Sequence, residues 1–116
     1  MMFFSKSDEL IMSPFLHYIN KHPNETMIFE WTDGTKLLVR LDTAYDSMND
    51  LDEEDEGFEE YFACAMETVK IISIGTAPVW GFEVGGLFEV NYHNFPDFVR
   101  DQDGNILLEK SVLLRQ

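Results

Sequence analysis

The chain is expected to be an α+β protein that is mainly β, with an N-terminal helix and then a strongly bent antiparallel sheet of five to six strands, left open or closed into a small barrel. Three observations predict this. Aromatic residues make up 14% of the chain, ten of them Phe, and aromatic side chains favour pleated, half-buried surfaces. Two Asp-Gly pairs, Asp33-Gly34 and Asp103-Gly104, each stand between apolar runs, which marks a tight hairpin. A clear stripe of apolar residues at helical spacing occurs near the N-terminus, before the β-like runs begin. With 116 residues and 45% hydrophobic content, the chain is sized for a single domain with one packed core.

The elements follow in order. Residues 5–22 read as the helix, with Phe15, Leu16, Tyr18 and Ile19 as its stripe. Ser13-Pro14 serves as an N-cap and first-turn pair, since proline lacks only an N–H that would be unpaired there. Alternatively, a turn over Asp8–Met12 precedes it and the helix kinks at Pro14. His22-Pro23-Asn24 ends it. The β domain spans 26–113. Met27, Phe29 and Trp31 alternate with polar neighbours before Asp33-Gly34, and Leu37, Val39 and Leu41 alternate after it, which predicts a hairpin. Residues 58–74 fit a long bent strand, with a helical first half as the alternative. Gly75–Gly86 is a loop broken by Pro78, Gly81 and Gly85-Gly86, and Leu87–Tyr92 is a strand. Phe98-Val99-Arg100 and Ile106-Leu107-Leu108 form the last hairpin about Asp103-Gly104.

Charge narrows the function. The chain carries 22 acidic and 8 basic residues, a net charge of −14. A polyanion of this kind repels phosphate backbones and anionic membrane surfaces, so direct nucleic-acid binding and membrane binding are not expected. A basic protein partner is what this field attracts. Ten of the acidic residues fall in 42–60, a stretch without Lys or Arg, which reads as a solvated, mobile acidic loop. A cytoplasmic location is expected, because the apolar start is followed at once by Asp8 and Glu9 and the single Cys64 has no partner for a disulfide.

The motifs give little chemistry. Asp52, Glu54, Glu56 and Gly57 imitate part of a calcium loop, but its twelfth position is Ala63; starting at Asp50 places Asp55 where glycine is required. No metal site and no cofactor is expected. His17 and His22 are five apart, which is not a helical ligand pair. His93 with Asp97 forms an imaginable acid–base pair beside a turn. Cys64 sits among apolar neighbours with no Lys or Arg to lower its pKa. No nucleophile elbow and no phosphate loop occur. The chain is therefore expected not to be an enzyme.

Residues 29–49 resemble the first motif of the Sm-like small barrels. Asp33-Gly34-Thr35, the alternating Leu37, Val39 and Leu41, and Tyr45-Asp46-Ser47-Met48-Asn49 carry the resemblance. Arg40 stands where that family usually has glycine, and its second motif has no counterpart beyond Ile74-Gly75. The resemblance implies an SH3-like or Sm-like barrel. It does not extend to the family's RNA binding, which the net charge opposes.

The expected function is that of a small acidic interaction protein. By analogy, acidic proteins of bacteria or their phages that act as inhibitors, immunity proteins or nucleic-acid mimics fit this description. The partner-binding residues expected are Asp50, Asp52, Glu53, Glu54, Asp55 and Glu56, with Trp80 as a short-range aromatic contact. Two alternatives are a ligand-binding or enzymatic barrel with a pocket near His93 and Trp80, and a homo-oligomeric structural subunit.

Overall fold

The structure is a computed structural model that describes residues 3–76 and 82–116. Its elements run α1 (Lys6–Lys21), β1 (Thr26–Glu30), β2 (Lys36–Met48), β3 (Glu60–Ser73), β4 (Leu87–Val90), β5 (Phe98–Arg100), β6 (Ile106–Glu109) and α2 (Lys110–Leu113). The expected N-terminal helix and six-stranded antiparallel sheet are present. The sheet is not closed into a barrel. Its order is β4-β3-β2-β1-β5-β6, which leaves β4 and β6 as its edges.

Helix α1 fills the expected span 5–22, but Ser13-Pro14 lies within it and is not its cap. Ser5 is the N-cap, and its Oγ accepts the Asp8 N–H at 3.1 Å. Asp8 and Glu9 in the first turn and Lys21 in the last complement the helix dipole. Pro14 lies inside the helix, where it deletes one backbone bond without ending it. The stripe Ile11, Met12, Phe15 and Ile19 compensates by burying itself against the sheet.

The β1–β2 hairpin forms as its alternation predicts. Met27, Phe29 and Trp31 of one arm and Leu37 and Val39 of the other face the core. Gly34 takes φ +102° in the turn, a conformation that side chains resist. Gly75 is needed for a different reason: a Cβ there would lie 2.2 Å from the Asp33 carbonyl oxygen, and its N–H donates to Thr35 Oγ1 at 2.9 Å. The end of β3 is thus seated directly on the first turn.

Strand β3 is long, as the β-rich reading of 58–74 expected, and not helical in its first half. Phe62, Cys64 and Met66 point into the core. The acidic connection is shorter than 42–60. Asp42–Met48 belong to β2, which pairs with β3 as far as Met48 opposite Glu60, and register shifts near Leu41 let the ribbon bend. Residues 49–59 are the loop proper. Strand β4 ends at Val90, short of the expected Tyr92, and the last residues form a short helix rather than more sheet.

The connection from β4 to β5 carries the chain past three strands, so that β5 pairs with β1. Phe95 on this connection is buried against Phe15 and Phe29, with centroids 5.3 and 6.3 Å away. Trp31 Nε1 donates to the Asn94 carbonyl at 3.0 Å, and the Thr32 N–H donates to Asp97 Oδ2 at 2.8 Å. The core therefore lies between α1, this connection and one face of the sheet.

Candidate functional site

The acidic loop stands at the far end of the long β2–β3 ribbon. Asp50, Asp52, Glu53, Glu54, Asp55 and Glu56 are all exposed, and none takes part in an ion pair among the described residues. The loop has an internal scaffold. The Asn49 N–H donates to the Glu59 carbonyl at 3.0 Å, its Nδ2 to the Gly57 carbonyl at 2.8 Å, and its Oδ1 accepts the Glu59 N–H at 3.2 Å. The Asp52 N–H donates to Asp55 Oδ2 at 3.2 Å, and the Asp55 N–H returns to the Asp52 carbonyl. Gly57 turns the backbone with φ +89°. Six like charges are thus held on a folded projection. No group of three His, Cys, Asp or Glu among the described residues is arranged to hold a metal ion.

Beside the loop lies a platform of hydroxyls and aromatic rings. On β3, Phe62, Cys64 and Met66 face inward, so Tyr61, Ala63 and Ala65 face the other way. Ala63 is opposite Tyr45 and Ala65 opposite Glu89. The two alanines are short enough for β2 and β4 to touch across β3. Tyr45 Oη and Ser47 Oγ donate to Glu89 Oε1 at 2.8 and 3.0 Å, and Asn91 Nδ2 donates to Glu89 Oε2 at 2.9 Å. Burial, with the Glu89 hydrogen bond and charge behind it, pushes the Tyr45 hydroxyl well above its ordinary range.

Glu59, at the base of the loop, joins the two parts. Its Oε2 accepts the Tyr92 hydroxyl and its Oε1 lies 2.5 Å from His93 Nε2. Burial acts to raise the Glu59 carboxyl, but the Tyr92 and His93 hydrogen bonds together hold it below the usual range. Tyr92 is pushed up to about 12, by burial first and then by Glu59. Tyr61 packs edge-on against both Tyr92 and His93, at 6.2 and 5.4 Å. Its hydroxyl is raised by burial and then by the charges of Glu89, Glu59 and Asp50, although Ser47 hydrogen-bonds it and acts the other way.

His93 is therefore paired with Glu59 rather than with Asp97, whose carboxylate is occupied by the backbone of Thr32. The Trp80 contact lies outside the described residues. Sequence reasoning missed Tyr45, Glu59, Tyr61 and Glu89; the available signal was a pair of hydroxyls two apart in β2 facing a strand that carries alanine at alternate places. The platform presents acceptors, hydroxyls and rings around the Glu59 and Glu89 carboxylates.

The comparison with protein families matches residues 10–112 to the family described as Cognate immunity protein YxxD. The chain belongs to that family. It is an immunity protein, and its partner is a cognate toxin. An immunity protein acts by binding rather than by turning over a substrate, which agrees with the expectation of a non-enzymatic inhibitor. No curated protein and no solved structure matches the chain. Among the described residues, no helix is long and apolar enough to cross a membrane.

Proposed function

We propose that this immunity protein meets its toxin with the acidic end of the β2–β3 ribbon, and that the toxin surface it covers is basic. The observation that carries this reading is the set of six exposed carboxylates at residues 50–56, in no ion pair among the described residues and held on a folded loop beside a platform of tyrosines. Long-range attraction steers the toxin toward the loop, and Tyr61, Tyr92 and His93 supply the short-range contact. If the basic surface is one that binds phosphate backbones, the inhibitor works as a nucleic-acid mimic. The unpaired thiol Cys64 suits a reducing cytoplasm as the place of action.

The test is affinity capture from a source-cell lysate at low and moderate salt, with a variant neutralised to Asn and Gln at residues 50–56 run beside the native chain. Capture of a basic toxin that fades with salt and is lost in the variant is the expected result. Capture of a toxin with unchanged affinity by the variant overturns the reading and leaves residues 50–56 as a solubilising loop.

A further inference from the structure

We propose that the pocket beside Glu89 is a socket for one cationic side chain, an arginine or lysine, of the toxin; the source of the cation rests on the function proposed above, whereas the preference for a cation does not. The pocket is open, about 390 Å³, and lined by Leu87, Phe88, Glu89, Asn91 and Asn94. Glu89 is the one charged group among the described residues of that lining. Its three hydrogen-bond donors, Tyr45, Ser47 and Asn91, are all neutral. No Lys, Arg or His among the described residues forms an ion pair with it. Its charge is thus fixed in direction but not cancelled, and it reaches Cys64 and Tyr61 as well as Tyr45.

A carboxylate offers about four acceptor positions. Among the described residues three of those on Glu89 are filled, and the remaining one is on Oε2, the oxygen that takes Asn91. The Asn91 and Asn94 amides cannot turn to fill it. Asn91 Oδ1 is held by the His93 N–H at 2.9 Å, and Asn94 Oδ1 by the Asn91 N–H at 2.7 Å. A guanidinium or ammonium N–H completes the set with a charge-assisted bond, and its aliphatic stem lies along Leu87, which is 58% exposed. Because Glu89 is already locked, such a cation binds without the ordering cost that a free carboxylate side chain would carry.

The test uses the full chain, labelled with ¹⁵N and titrated separately with Nα-acetylarginine amide, Nα-acetyllysine amide and the neutral Nα-acetylcitrulline amide. The expected result is saturable movement of the Leu87–Val90 backbone signals and the Asn91 and Asn94 side-chain amides with a cationic probe, and none with citrulline. Glu89→Gln removes the response, and Leu87→Lys, at an exposed position that leaves the Glu89 network in place, removes it too. The second variant guards against a local misfold in the first, whose new amide would face the Asn91 amide. Equal movement with citrulline, no movement with either cation, or movement confined to residues 50–56 overturns the socket. With the captured toxin, Leu87→Lys is expected to weaken binding by about tenfold or more. Loss of toxin on neutralising residues 50–56, with native affinity in both pocket variants, sinks the socket and leaves the function intact. A cation response in the pocket with no dependence of toxin binding on residues 50–56 does the reverse.

Discussion

Asp8 Oδ2 accepts the backbone N–H of Phe62 at 3.1 Å, although 54 positions separate the two residues. Strand β4 ends opposite Cys64 and so does not reach Phe62. The first turn of α1 takes the place of the missing strand. The same oxygen accepts the Phe4 N–H at 3.2 Å, and Asp8 is completely buried. Asp8→Ala is expected to cost about 2–4 kcal/mol, since it removes a helix-start acceptor and leaves a buried donor unpaired. Urea unfolding followed by circular dichroism measures it; a loss below about 0.5 kcal/mol would show that the contact is dispensable.

The Glu59 carboxyl gives a pH dependence of defined sign. Its folded value is lowered from the ordinary 4.5, so its contribution is present above the unfolded value and disappears as pH falls through the folded one. Native protein should therefore lose stability from about pH 5 downward more steeply than Glu59→Gln. The difference between their urea midpoints across pH 3–6 checks this, and parallel curves would contradict it.

Gly75→Ala is expected to lower stability by about 1–3 kcal/mol. The added carbon would meet the Asp33 backbone rather than a yielding side chain. The thermal midpoint reads the effect, with Gly104→Ala as a comparison, because nothing lies within 4 Å of a Cβ at that glycine and only its φ of +90° resists.

Cys64 should be inert in the native protein. Burial, helped by the Glu89 charge, pushes its thiol up to about 12, so little thiolate forms at neutral pH. Mass spectrometry after iodoacetamide treatment should show alkylation only once the chain is unfolded in urea; rapid native labelling would mean that β3 opens.

Neutralising Asp50, Asp52, Glu53, Glu54, Asp55 and Glu56 should leave the fold as stable as before or slightly more so. The change moves the net charge from −14 to −8 and removes like-charge repulsion, and no ion pair among the described residues is lost. Calorimetry with and without added salt distinguishes this from a structural role, in which the variant would melt earlier at every salt concentration.

The parts of the fold that were legible are those decided by near neighbours. Asp33-Gly34 between two alternating runs specifies a hairpin whatever the rest of the chain does. The β-branched run after Cys64 likewise favours a strand over a helix. The helix span 5–22 was legible, but Pro14 drew the N-cap toward Ser13, while Ser5 with Asp8 three residues on was the stronger signal. Asp42–Met48 looked like loop because charged residues are rare in strands. They pair because β2 needs only one face to be dry. The site was harder to see. Glu89 reads as an ordinary solvent-side residue until Tyr45, Ser47 and Asn91 converge on it, and Glu59 and His93 meet across 34 positions that no local pattern connects.

Strand β1 lies in the middle of the sheet, yet one of its two neighbours, β5, comes from near the other end of the chain. The Glu30–Arg100 ion pair on this seam joins residues 70 positions apart. During synthesis β1 can pair with β2 early, but its second edge stays open until residues 98–100 have also left the ribosome. A chain stalled before Phe98 would expose a row of unpaired amides beside Met27 and Phe29, a template for association with other nascent chains.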